Sequence, residues 1–202
     1  MHIVKSRPDG FAFDRCIASA TASRLRFQVI DNMGRDVLVG RKKGFYADSS
    51  ATHLTMLDDD DETLLTPEIV EHLIGLNKPA VFANSEIIGD SITSQNVPNF
   101  VQEWSLGMEK NRLCRPHAPM VLEVEYARHV LNDTEKLLNT MNWHPNHCDY
   151  VFRLIISTTI GWKYENIIAY RWYIHDANLH RSDNPGINEI RNYFFDRGKA
   201  CK

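Results

Sequence analysis

The sequence predicts an α+β fold with a mainly antiparallel sheet, and three observations carry that prediction. Residues 25–40 read as two alternating strands about a glycine-containing turn, and residues 150–174 hold two runs rich in β-branched and aromatic side chains. Helix starts marked by proline and capping residues fall between them irregularly, without the strand-helix-strand rhythm of a doubly wound sheet. N-terminal and C-terminal hairpins with about four to five interspersed helices are therefore expected, in one domain over residues 1–202.

Along the chain, Asp14 is placed to cap a short helix through the Ala-rich segment Cys16–Ser23. Leu25–Ile30 and Asp36–Gly40 flank Asn32-Met33-Gly34-Arg35 as the arms of a hairpin, with Gly34 where a positive φ is tolerated. Gly44-Phe45-Tyr46 and His53–Leu57 read as further strands. Thr66-Pro67-Glu68 combines an N-cap hydroxyl, proline at the first helical position and an acid in the first turn, and Ile69, Val70, Leu73 and Ile74 follow at helical spacing. Ala80–Ala83 is a short apolar strand candidate, and Asn84–Val97 reads as loop.

Pro98-Asn99 opens a second helix with Phe100, Trp104 and Met108 on one stripe. Met120–Tyr126 reads as a strand, Asp133-Thr134-Glu135 as a helix start with Leu137, Leu138 and Met141 inward, and Trp143–Cys148 as a loop. Tyr150–Ser157 and Ile167–Ile174 form an expected antiparallel strand pair, and Asn184-Pro185 begins a last helix with Ile187, Ile190 and Phe194 on one face.

Composition narrows the class. The 202 residues are 43% hydrophobic and 24% charged, which is a packed globular chain rather than a disordered one. Met1–Ser6 leads into Arg7-Pro8-Asp9-Gly10 without the apolar core of a signal peptide, and no later run approaches the length of a membrane span. Cys16, Cys114, Cys148 and Cys201 are too few and too irregular for a disulfide framework, so a reduced, cytoplasmic setting is expected. Net charge is −3, distributed as +4 over residues 1–57, −9 over 58–125 and +2 over 126–202; this balance disfavours nucleic acid as the main partner.

The sharpest candidate site joins Cys114 and His117 to His144 and His147. Imidazole and thiolate suit zinc, and two ligands separated by two residues in a proline-containing loop can grip one ion. His53-Leu54-Thr55 and His180-Arg181-Ser182 offer two imidazoles for acid and base roles on a phosphate ester, at a spacing that chance also produces. His175-Asp176, His180 and Asp183 cluster after a strand candidate and read as a hydrophilic loop, while Cys16 reads as a buried, inert thiol. Asp58-Asp59-Asp60-Asp61-Glu62 can attract a hard cation but lacks the spacing and glycine of an EF-hand, and so reads as a solvated or partner-facing acidic loop. Arg41-Lys42-Lys43 reads as three exposed cations at a hairpin end.

No phosphate-cradling glycine loop and no Gly-x-Ser-x-Gly elbow is present. Without a catalytic signature, the expected role is an assembly or protein-interaction component, a protein partner or a homo-oligomer, extending to a structural subunit of a viral or phage particle that pins the polar tail 197–202. The alternative is a small metal-assisted hydrolase or nuclease with zinc at Cys114, His117, His144 and His147.

Overall fold

The computed structural model describes residues 1–6, 10–89, 100–102, 120–159, 161–174 and 185–196. It is an α+β structure with two sheets. The first half supplies β1 (His2–Lys5), α1 (Phe11–Ala22), β2 (Gln28–Asp31), α2 (Val37–Ala47), β3 (His53–Leu54), β4 (Met56–Asp58), β5 (Glu62–Thr63) and α3 (Pro67–Gly75). The second supplies β6 (Ala80–Gly89), β7 (Phe100–Gln102), β8 (Met120–Glu123), α4 (Val124–Met141), a 3-10 turn at Pro145–His147, α5 (Cys148–Thr158), β9 (Trp162–Ile174) and α6 (Pro185–Asp196).

The α+β class holds, but the sheets are not mainly antiparallel. One sheet is three-stranded, ordered β2-β1-β4, with both neighbours parallel to β1. The other is six-stranded, ordered β3-β8-β6-β9-β5 with β7 also on β6, and its longest pairing, β6 with β9, is parallel from Ala80↔Trp162 to Gly89↔Ile174.

Neither expected hairpin forms. Residues 37–47 are helix α2, and its buried Leu38, Arg41 and Phe45 recur at helical rather than alternating spacing. Gly34, at φ +66°, does turn the chain, but Asn32 Nδ2 then donates to the carbonyl of Asp36 and directs the chain into α2 rather than back along β2. Gly44-Phe45-Tyr46 therefore lies in a helix. At the other end, Tyr150–Ser157 lies in α5, whose Val151, Phe152, Leu154 and Ile156 are all buried. A short apolar run with no polar face has no period to read, so β-branched content alone points to the wrong element.

Other elements follow the local chemistry. Thr66 caps α3, its Oγ1 accepting from the Ile69 N–H at 3.3 Å, with Pro67 at the first position. Helix α1 starts at Phe11, ahead of the expected Asp14 cap, and α4 starts at Val124, well before Asp133. β6 extends through Asn84–Gly89, which was expected as loop, and Phe100–Gln102 is strand rather than helix; Trp104 and Met108 lie outside the described residues.

The core is built on both faces of the larger sheet. Ala80, Phe82, Met120 and Leu122 pack with α4 and α5, while the alternate residues Val81, Ala83 and Val121 pack with Leu73 of α3. A sheet covered on both sides needs apolar residues at consecutive positions, which is why Ala80–Ala83 is an unbroken apolar run. A third cluster, including Ile3, Cys16, Leu57, Ile87, Tyr170 and Trp172, joins the two sheets and α1. Among the described residues, no helix is long and apolar enough to cross a membrane.

Candidate functional site

The three-stranded sheet fixes where a site can form. After β1 the chain crosses through α1 to β2 on one side, then returns through α2 and β3 to β4 on the other. The chain steps outward from β1 to β2 and then back past β1 to β4, and this reversal of strand order opens a crevice at the carboxyl ends of β1 and β4, the place where open parallel sheets bind ligands. The acidic run Asp58–Asp61 lies there, directly after the buried Leu57.

This run is a folded turn, not a solvated loop. The Asp61 N–H donates to the Asp58 carbonyl at 3.3 Å, and Asp59, Asp60 and Asp61 are 5%, 3% and 1% exposed. Groups from four parts of the chain hold it. Asp59 Oδ2 accepts from the Ser6 N–H at 2.6 Å, at the end of β1. From α1, Arg15 Nη2 donates to the Asp60 carbonyl at 2.7 Å and the Cys16 thiol donates to the Asp58 carbonyl at 3.3 Å. From β9, the Tyr170 hydroxyl donates to Asp61 Oδ2 at 2.6 Å and the Tyr173 N–H donates to Asp61 Oδ1 at 2.9 Å. Asp58 Oδ1 accepts from Arg41 Nη2 at 2.9 Å.

Oxygens of Asp58, Asp60 and Asp61 lie within 4.8 Å of one another. Crowding of this kind disfavours ionisation: burial first, then the charges of Asp60 and Asp58, pushes the Asp61 carboxyl well above the usual carboxylate range, against the opposing bonds from Tyr170 and Tyr173. Burial and the same acids hold the Tyr170 phenol protonated and push the Cys16 thiol far up; Cys16 is buried, as expected. A hard divalent cation relieves such repulsion, because carboxylate oxygens are its preferred ligands. The donor set therefore fits a magnesium- or manganese-type ion better than zinc, which favours nitrogen and sulfur.

Cations and aromatic rings border the turn. The Arg15 guanidinium lies 3.3 Å from the centre of the Tyr173 ring and also reaches the exposed Phe11. Arg171 bridges Glu86 and Glu62 through bonds of 2.7 and 3.3 Å. Arg41, expected to be exposed, is 3% exposed and bonded to Asp58 and Asp149, because it points inward from a helix rather than outward from a hairpin end.

The other candidate residues lie elsewhere. His144 and His147 flank the 3-10 turn with ring centres 6.3 Å apart; His144 Nδ1 accepts from the Asn146 N–H, and burial lowers the His147 pKa. Cys114 and His117 lie outside the described residues, as do His175, Asp176, His180 and Asp183. His53 sits in β3 against Thr52, lining a cleft of about 310 Å³ at the amino ends of β1 and β2, the opposite end of the sheet from the acidic turn. Sequence reasoning found the acidic run but took it for surface, and it missed Arg41, Asp149 and Tyr170. The available signal was the position of the acids immediately after the strand-like Thr55-Met56-Leu57.

Among solved structures, the chain is similar to TarS of S. aureus. TarS 1-349 in complex with UDP-GlcNAc matches with a TM-score of 0.56 and 11% identity over 96% of this chain and 64% of that one. This chain shares the TarS fold. A second crystal structure of TarS matches with a TM-score of 0.57 and 12% identity over 100% of this chain and 43% of that one. TarS 1-349 in complex with UDP matches at 0.51 and 10% identity over 98% and 71%. The chain thus spans less than two thirds of the first of these structures and under half of the second. No family model and no curated protein sequence matches the chain.

Two expectations are corrected here. The assembly role, with its viral or phage structural subunit, gives way to a fold shared with a protein crystallised with a nucleotide sugar, and so does the zinc-dependent hydrolase or nuclease. The assembly role rested on the absence of a catalytic motif and the hydrolase on the spacing of Cys114, His117, His144 and His147, whereas a cation site built from carboxylates at a strand end needs no glycine loop, serine elbow or Cys/His pair.

Proposed function

We propose that the chain binds a nucleoside diphosphate sugar, with a divalent cation, at the acidic turn and acts as a glycosyltransferase. The observation that carries this reading is the gathering of the half-buried Asp58 with the buried Asp60 and Asp61 at the switch point between β1 and β4. The TarS fold, known in complex with UDP-GlcNAc and with UDP, supports the same ligand class.

Asp58 and Asp60 would hold the cation, while Asp61, with each oxygen accepting a bond from β9, anchors the turn. When bound, the cation supplies charge neutralisation for the diphosphate, both in the ground state and as it becomes the leaving group. The chain itself supplies the rest. Ser6 and Tyr173 fix the turn through their N–H groups, and Arg15 contributes a cation and a flat stacked surface at the crevice mouth. In the transfer, an acceptor hydroxyl oxygen bonds to the anomeric carbon, the carbon–phosphate oxygen bond breaks, the nucleoside diphosphate leaves with the bonding pair, and the hydroxyl proton is released to solvent.

Isothermal titration with UDP, with manganese and with EDTA, tests the reading. Saturable UDP binding in manganese is expected, weakened about tenfold or more in EDTA and in Asp60→Asn. Absence of binding at millimolar UDP in manganese refutes it.

A further inference from the structure

We propose that Arg41 is a positioning residue for this cation site, setting the Asp58 carboxylate through a buried fork shared with Asp149; the inference rests on the reading of the site given above. Arg41 Nε and Nη2 bond the two oxygens of Asp149, each at 2.8 Å, and the remaining hydrogen of Nη2 goes to Asp58 Oδ1 at 2.9 Å. A guanidinium is planar and its hydrogens diverge at fixed angles, so the bidentate grip on Asp149 dictates the direction from which Asp58 is held.

The anchor is itself fixed. Asp149 lies in the first turn of α5, where a carboxylate is favoured by the helix macrodipole. The preceding 3-10 turn is tied to the start of α2 by Asn146 Oδ1, which accepts from the Val37 N–H at 3.2 Å. Arg41 thereby connects α2, α5 and the end of β4 at one point.

Stability alone is a poor explanation for this arrangement. Burying the Arg41 charge against two half-buried carboxylates is expensive, apolar residues of the same volume usually do as well, and Nη1 of Arg41 is buried without a hydrogen-bond partner among the described residues. What the fork provides and an apolar contact cannot is a fixed orientation for Asp58. A lysine keeps the charge but, as a single ammonium, cannot grip Asp149 in a bidentate fork while directing a further bond at a set angle to Asp58.

The test measures UDP affinity with manganese and with EDTA for wild type, Arg41→Lys, Asp149→Asn, Asp58→Asn and Arg41→Lys combined with Asp58→Asn, with thermal melting as the check on folding. Arg41→Lys is expected to lose about tenfold of the manganese-dependent affinity, with affinity in EDTA changed less than about twofold. Asp149→Asn should act in the same direction, and in the Asp58→Asn background Arg41→Lys should have no further effect. If Arg41→Lys fails to fold, Asp149→Asn decides. Wild-type binding that Arg41→Lys and Asp149→Asn leave intact overturns the positioning role alone, as does an equal loss with and without manganese. A wild type that binds no UDP in manganese overturns the site itself.

Discussion

Replacing Tyr170 by phenylalanine isolates the bond that ties the acidic turn to the larger sheet. Tyr170 is 2% exposed and packs with Ile3, Leu57 and Trp172, so the phenylalanine ring fills the same space and only the hydroxyl is lost. That hydroxyl donates to Asp61 Oδ2 at 2.6 Å; the Asp58 N–H approaches it at 3.5 Å and adds little. Its removal leaves a buried carboxyl oxygen short of a donor, which costs about 1–3 kcal/mol. For a chain of this length, 1 kcal/mol shifts the melting temperature by about 2–4 °C, so Tyr170→Phe is expected to melt about 2–12 °C below wild type. Urea denaturation followed by circular dichroism should show a lower midpoint with an unchanged slope, because the area exposed on unfolding is the same. A midpoint within experimental scatter of wild type would refute the view that this bond holds the turn.

Three further perturbations test the framework around the site. Gly40→Ala places a Cβ 2.6 Å from Val4 Cγ1 and 2.8 Å from the Asn32 side chain, and overpacking on this scale should destabilise by about 1–3 kcal/mol in the same denaturation assay. Thr66→Ala removes the α3 cap and should cost about 1 kcal/mol without altering UDP binding. His2 is 5% exposed, and burial, then the neighbouring terminal amine, lowers its pKa to about 4. Between about pH 6.5 and pH 4 the unfolded chain therefore binds a proton that the folded chain refuses, so stability falls with pH across that window by up to about 3 kcal/mol, and His2→Gln should flatten the slope seen in denaturation at pH 7, 5.5 and 4.

What was legible in the sequence was chemistry that acts over a few residues. The α3 start is specified by Thr66, Pro67 and Glu68 alone, and the structure has it as read. The start of α6 at Pro185 and the burial of Cys16 were legible for the same reason. Burial on all sides was not legible. α5 and β6 carry similar apolar runs, one a helix and one a strand, and the choice is made by what surrounds them: α4 and α2 around the helix, β8 and β9 around the strand. The acidic run was misread for a related reason. Four adjacent acids are most simply a hydrated loop, and only the convergence of Ser6, Arg15, Cys16, Arg41, Tyr170 and Tyr173, from four separate elements or strand ends, makes a buried turn of them.

That convergence bears on how stability and binding are linked. Carboxylates buried together oppose folding, and the bonds around the turn offset this only in part, since Asp61 is still pushed toward its neutral form. A cation bound by the folded chain and not by the unfolded one adds stability by mass action, about 2.7 kcal/mol at a hundredfold excess over its dissociation constant. Manganese should therefore raise the melting temperature of wild type by about 5–10 °C at such an excess, and calcium or zinc less, since size and ligand preference differ. The shift should vanish in Asp58→Asn combined with Asp60→Asn, whereas zinc bound through His144 and His147 would survive those substitutions. An equal shift in the double variant would move the cation away from the acidic turn.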